Sequence, residues 1–164
     1  MVRTRLAESS DAQRISRLLA VNGSDRGGML MGEWPIETIE RRVAARQPIV
    51  IAVDEDDRLL GALLISEKGY DAAPPVLAML EVWPGRVDAY VYGPVCIAKE
   101  ARGQGVLEAL YGELRATFGD REAILFIRAD NRRSLRAHLK LGMREVGRFA
   151  LNGESFLVLD DKAG

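Results

Sequence analysis

Hydrophobic and polar positions change period several times along the chain, and each change marks an element. Val2, Thr4 and Leu6 alternate with arginines, a two-residue period that predicts a first strand. Ser9-Ser10-Asp11 supplies capping side chains ahead of Ala12, Ile15, Leu18 and Leu19, whose three-to-four spacing predicts a helix. Pro35 opens a second helix with Ile36, Ile39 and Val43 along one side. Between the two, residues 22–28 are almost wholly Gly, Ser, Asn and charge, and are expected to form a flexible loop. Ile49–Val53 and Leu59–Ile65 are unbroken apolar runs around the turn Asp54-Glu55-Asp56-Asp57, and they predict paired, buried strands. A metal site in those four carboxylates is the less favoured reading, because consecutive acids at a strand turn are normally solvated.

Residues 70–86 carry Pro74, Pro75 and Pro84, with Leu80 and Trp83 among them. They are expected to be a long irregular insertion that leaves both large apolar side chains exposed. Ala89–Ala98 predicts the next strand; Gly103 and Gly105 break it; Val106, Ala109, Leu110, Leu114 and Phe118 then recur at helical spacing. Ala123–Ile127 is a further strand, followed by a helix from Asp130 or Asn131 that carries Leu135 and Leu139 and stops at Gly142. Asn152-Gly153 is a two-residue hairpin turn between Gly147–Leu151 and Ser155–Leu159. This order of elements predicts an α/β (α+β) fold.

Composition narrows the function. With 164 residues and 48% hydrophobic content, the chain is expected to be one domain over 1–164. Lys and Arg total 23 against 24 acidic residues, which argues against a nucleic-acid partner. One cysteine excludes an internal disulfide and a cysteine-rich zinc site. No apolar run is long enough to span a bilayer, and the N-terminus lacks the apolar stretch of a signal peptide. No membrane partner is therefore expected, and the expected location is cytoplasmic.

Two constellations carry chemistry. Arg102-Gly103-Gln104-Gly105 stands between a strand and a helix, where glycines permit a tight turn with outward N–H groups and the helix start adds its positive end. Such a loop suits a phosphate, and Arg102 adds a cation. It is neither a GxxxxGK(S/T) loop nor a GxGxxG loop, and taken alone a structural turn explains it almost equally well. The second constellation is Asn131, Ser134, His138, Gly142 and Met143 on and around one short helix. Ser134 and His138, four apart, share a face beside the Leu135 and Leu139 stripe, so the helix is expected to seal the core with the leucines and touch a ligand with the polar pair.

Together these segments resemble the GNAT superfamily of acyl-CoA N-acyltransferases. Ile97 to Leu107 follows the pattern V-x-P-x-x-(R/Q)-G-x-G-x-(G/A), and Asn131 to Met143 follows N-x-x-(A/S)-x-x-x-(Y/H)-x-x-x-G-(F/M). Lys99 replaces the usual proline, Leu107 the usual small residue, which is expected to crowd the pyrophosphate, and His138 the usual tyrosine. The resemblance implies a mixed, mostly antiparallel central sheet of about seven strands flanked by about four helices, with a V-shaped splay between the fourth and fifth strands. It implies acetyl-CoA as cosubstrate, no metal, and an amine-bearing small molecule or protein N-terminus as acceptor, with a homodimer through the C-terminal hairpin left open.

By the same resemblance, Arg102, Gly103, Gln104, Gly105, Val106 and Leu107 hold the pyrophosphate. The backbone of Val95, Cys96 and Ile97 pairs with the pantetheine arm; Asn131 either contacts the pantetheine amide or is a helix N-cap, and Ser134 either reaches a phosphate or simply stands at the helix start. His138 takes the position that faces the sulfur, where it is either a general acid or a packing residue. Tyr92 or Tyr90 on the strand, or Glu81 in the insertion, are the base candidates, and strand tyrosines are as readily explained by packing. Cys96 as a nucleophile is disfavoured, since no neighbour activates it. A non-catalytic acyl-CoA sensor of the same fold is the alternative reading.

Overall fold

The structure is a computed structural model describing residues 1–23, 28 and 30–162, so the loop expected at 22–28 lies mostly outside the described residues. In chain order the elements are β1 (Arg3–Leu6), α1 (Ala12–Val21), α2 (Ile36–Ala44), β2 (Ile49–Val53), β3 (Leu59–Ser66), α3 (Pro74–Val82), β4 (Tyr90–Ile97), α4 (Val106–Phe118), β5 (Ala123–Arg128), α5 (Arg132–Lys140), β6 (Arg144–Leu151) and β7 (Glu154–Asp160). The strands form a seven-stranded sheet in the order β1-β2-β3-β4-β5-β7-β6. The pairs β1–β2, β2–β3, β5–β7 and β6–β7 are antiparallel, and β4–β5 is parallel. That is the mixed, mostly antiparallel sheet the sequence implies. The β4–β5 ladder consists of Tyr90↔Ala123 and Val91↔Ile124. It ends there while β4 runs on to Ile97, in keeping with the expected splay.

Two compact units divide the chain, Met1–Ile65 with Gly93–Gly119, and Ser66–Tyr92 with Asp120–Gly164. In the first unit every residue of β2 is buried. Both faces of that strand are covered, which is why its sequence is a continuous apolar run and not an alternation. Helix α1 buries Ala12, Ile15, Leu18 and Leu19, and α4 buries Val106, Leu107, Leu110 and Leu114. Gly61 of β3 lets α4 lie close: a Cβ there would stand 2.9 Å from Val106 Cγ1 and 3.2 Å from the Cys96 carbonyl oxygen. At the start of α1, the buried Asp11 carboxylate accepts from Arg5, Arg14 and the Glu8 N–H at 2.8 Å each. The Arg5 guanidinium first, and then the other donors, hold this carboxyl well below the usual carboxylate range, against the upward push of burial.

The second unit corrects two expectations. Residues 70–86 are not an irregular insertion, because Pro74–Val82 is helix α3, one of five α-helices among the described residues where about four were expected. Both prolines of its start fall in the first turn, where no intrahelical N–H is needed and the ring presets φ. Leu80 and Trp83 are not exposed either: with Val76 they pack against a core of Met79, Ala89, Val91, Ile124 and Val158. Helix α3 lies against β6 so closely that any side chain at Gly147 would collide with Val82. Phe149 stacks on Phe156 at 4.9 Å, and Phe126 meets Phe156 edge-on at 5.5 Å. The β6–β7 turn has Asn152 at φ 51° and Gly153 at φ 79°, the left-handed pair that a two-residue hairpin of the expected kind requires. Among the described residues, no helix is long and apolar enough to cross a membrane.

Candidate active site

In the first unit, β4 gives way through a short turn, Lys99–Ala101, to the loop ahead of α4. Gly103 at φ 78° and Gly105 at φ 79° are both left-handed, a conformation side chains disfavour. A Cβ at Gly103 would meet nothing within 4 Å, and one at Gly105 would meet only Glu108 Oε2, at 4.0 Å. The glycines are thus required by backbone conformation and by whatever approaches from outside, not by packing within the protein. Gly105 is the N-cap of α4 and offers no side-chain cap, so the first-turn N–H groups lack that partner. Gln104 Nε2 donates to the Glu100 carbonyl at 3.0 Å, and Arg102 donates to Asn22 Oδ1 at 3.0 Å. The loop is therefore tied down while its glycine face stays open. This geometry fits a pyrophosphate. The bulk of Leu107 is directed inward: it is 8% exposed and Val106 is 2% exposed. Only the main chain at 107 is left to meet a ligand, so the expected crowding does not arise from this side chain. Glu108, exposed in the first turn, is the one acidic group there.

Just before the loop, Val95 and Ile97 are half-buried and Cys96 is buried. Cys96 Sγ lies 3.7 Å from the Leu18 carbonyl oxygen. Burial pushes its thiol up to about 12, so it is a core residue and not a thiolate nucleophile.

In the second unit, Asn131 caps α5, its Oδ1 accepting from the Ser134 N–H at 3.3 Å. The inward face of α5 differs from the expected one at its C-terminal end, while Ser134 and Leu135 are both half-buried. His138 is its buried residue at 2% exposure, while Leu139 is 47% exposed. A histidine is tolerated inside because both ring nitrogens have partners. Nδ1 lies 2.7 Å from the Ser134 carbonyl oxygen, with Ser134 Oγ at 3.3 Å, and Nε2 lies 2.9 Å from Tyr92 Oη. A carbonyl can only accept, so Nδ1 carries the hydrogen; the neutral ring then presents a lone pair at Nε2, to which the Tyr92 hydroxyl donates. Burial lowers the imidazole pKa, opposed by the Ser134 carbonyl, and so favours the neutral ring. The two rings meet edge-on, 5.4 Å between centroids. The other base candidates are placed differently. Tyr90 is buried beneath the Arg121 guanidinium, 5.3 Å from its ring, and Glu81 is exposed on α3.

Sequence reasoning missed a buried acid pair in the same unit. Glu122 Oε2 accepts from Trp83 Nε1 at 2.8 Å, and Oε1 accepts from the Arg86 N–H at 2.7 Å. Asp160 Oδ1 accepts from Arg144 Nε at 2.9 Å. Asp160 Oδ2 is buried without a hydrogen-bond partner, close enough to Glu122 for each carboxyl to shift the other's proton affinity. Burial, then the Glu122 carboxyl, pushes Asp160 up to about 6. Glu122 is lowered despite burial, through the neighbouring Asp160 carboxyl and its two donors, Trp83 Nε1 and the Arg86 N–H. The signal was present for Asp160: it falls in phase with Phe156 and Val158 on β7. Glu122, in a polar connection, gave none.

Known proteins agree with this architecture. Residues 21–143 match the model of the Acetyltransferase (GNAT) family. A search of curated proteins finds no match. Among solved structures, an N-acetyltransferase from Staphylococcus aureus Mu50 superposes with a TM-score of 0.73 at 18% identity, over 98% of this chain and 97% of its own. A phosphinothricin acetyltransferase from Sinorhizobium meliloti in complex with AcCoA gives 0.68 at 19%, over 97% and 86%. A spermidine/spermine N-acetyltransferase from Vibrio cholerae gives 0.65 at 16%, over 97% and 91%. These likenesses concern the fold, whereas the family model spans about three quarters of the sequence, from 21 to 143 of 164 residues. The chain belongs to the GNAT acetyltransferase family.

Proposed function

We propose that the protein, acting as one catalytic domain over 1–164, transfers an acetyl group from acetyl-CoA to a primary amine in the cytoplasm. The amine attacks directly in a ternary complex. The observation that carries this reading is the open, left-handed Gly103 and Gly105 face at the uncapped start of α4. The main-chain N–H groups of Gln104, Gly105, Val106 and Leu107 hold the pyrophosphate, with Gly103 shaping the turn and Arg102 adding charge. The backbone of Val95, Cys96 and Ile97 orients the pantetheine arm as an added strand, and Asn131 and Ser134 complete the cofactor contacts. Acetyl-CoA supplies an acyl carbon activated as a thioester. The Ile97 N–H polarises its carbonyl, and Tyr92 with His138 is the pair available to move a proton. Solved relatives named as phosphinothricin and spermidine/spermine acetyltransferases support an amine acceptor.

The second reading is a non-catalytic acyl-CoA sensor, favoured by the burial of Tyr92 and His138, 3% and 2% exposed. Calorimetric titration with CoA and with ATP, followed by thiol release from acetyl-CoA over a panel of amino acids, polyamines and peptides with free N-termini, separates the two. CoA binding with amine-dependent thiol release supports the enzyme. CoA binding without release from any amine supports the sensor, and equal binding of ATP overturns both.

A further inference from the structure

We propose that a cavity within the second unit, lined by Arg86, Arg144 and Lys162, binds a small oxyanion: the carboxylate or phosphate group of a small molecule. None of its residues is among those assigned to acetyl-CoA, so the site is independent of the acetyl-transfer reading.

The cavity has a volume of about 380 Å³, at the lower end of the range that holds small organic ligands. It forms where four chain segments meet: Arg86 follows α3, Glu122 immediately precedes β5, Arg144 begins β6, and Asp160 with Lys162 closes β7. The Arg86 segment is pinned. Gly85, at φ 68°, packs so closely that a Cβ would stand 2.6 Å from Ile124 Cδ1. Lys68 Nζ donates to the Pro84 and Arg86 carbonyls at 2.6 and 2.7 Å, and the Arg86 N–H donates to Glu122. All these contacts use the main chain of 84–86. The exposed Arg86 guanidinium makes no hydrogen bond among the described residues.

Three cations therefore share one concave wall, and the two buried acids beside them do not neutralise it. Both Glu122 oxygens are taken, by Trp83 Nε1 and the Arg86 N–H. Asp160 accepts only from Arg144 Nε, at 2.9 Å. The terminal nitrogens of Arg144, on a side chain 43% exposed, have no hydrogen-bond partner among the described residues. Lys162 likewise makes no hydrogen bond or ion pair there. Asp160 Oδ2 is buried and unpartnered, so neither Arg86 nor Lys162 turns inward to it. Burial also favours the protonated form of Asp160, which removes a counter-charge. What remains is a positive surplus with unused donors. Guanidinium N–H groups match the paired oxygens of a carboxylate or phosphate, and the ammonium adds a point charge.

Trp83, one of two tryptophans in the chain, lines the cavity with its indole N–H on Glu122. Its indole NMR signal in labelled full-length protein, identified by its loss in Trp83→Phe, reports on the site. Titration with succinate and with inorganic phosphate, at constant ionic strength and without CoA, is expected to move that signal saturably with at least one of them. Whichever binds more tightly tells a carboxylate source from a phosphate source. At ten times its Kd, that anion should raise Tm by roughly 3–6 °C. Arg86→Ala with Lys162→Ala should weaken binding about tenfold or more while leaving Tm without anion unchanged, because the Arg86 main-chain contacts remain. Gly105→Val should bind the anion as the wild type does. The proposal is overturned if neither anion moves the signal through the millimolar range, or if the double variant binds as tightly as wild type. Loss of anion binding in Gly105→Val would place the anion at the glycine loop and overturn it too.

Discussion

Replacing Asp160 by asparagine should flatten one part of the stability profile against pH. In the folded protein the Asp160 carboxyl is fully buried against Glu122 and titrates at about 6, up from 3.8. A group whose folded pKa is raised stabilises the fold in its protonated form. That contribution is complete below the unfolded pKa, near pH ~4, and is lost as pH rises through about 6. A shift of about two pKa units, at ~1.4 kcal/mol each, sets a ceiling of roughly 3 kcal/mol. The opposite shift of Glu122 works against it, since a lowered carboxylate adds stability above its unfolded pKa, and leaves an expected loss of about 1–3 kcal/mol. In D160N the amide oxygen can still accept from Arg144, and the side chain has no proton to lose. Urea unfolding of both proteins across pH 4 to 8, followed by tryptophan fluorescence, gives the difference in stability at each pH. It should shift in favour of D160N by about 1–3 kcal/mol between pH 4 and 7. Parallel profiles over that window would refute the raised affinity of the Asp160 carboxyl for its proton.

Four further outcomes concern the first unit. Gly105→Val should abolish CoA binding in calorimetry and cost about 1–2 kcal/mol in unfolding, because a β-branched side chain at φ 79° is strained and stands on the open face; Arg102→Ala should weaken CoA about tenfold, the loss of one charge-assisted contact. Glu108→Gln should tighten CoA binding by about two- to fivefold, because it removes an anion from the helix end that the pyrophosphate would share. Cys96 should resist a disulfide-exchange reagent in native protein and react at once in denaturant, given its burial and its thiol pKa of about 12.

The parts of the fold legible in the sequence were those where one local rule sufficed. Unbroken apolar runs gave β2 and β3, helical spacing gave α1 and α4, and Asn152-Gly153 gave the hairpin. The loop at Gly103 and Gly105 was legible too, since its conformation is written in the glycines themselves. Helix α3 was not, because three prolines in seventeen residues read as a breaker, whereas Pro74 and Pro75 in a first turn start a helix. The inward turn of His138 was hidden for a different reason. Which flank of α5 faces the core is decided by tertiary partners, the Tyr92 hydroxyl among them, that lie 46 residues away in the chain. The Glu122–Asp160 pair is likewise a long-range meeting, between the entrance of β5 and the end of β7.

The interleaving of the two units has a consequence for synthesis on the ribosome. The first unit holds residues 1–65 but lacks its second portion until residue 119 has been made. At 5–20 residues per second, translating the intervening 54 residues (119 − 65) takes roughly 3–10 s. During that interval Ile49–Val53, buried on both faces in the finished protein, has no α4 to cover it. Residues 66–92 emerge in the same window and wait in turn for residues 120–164. A nascent chain stalled between 66 and 119 should therefore be a strong client for chaperones that bind apolar strands, and released full-length chain a weak one.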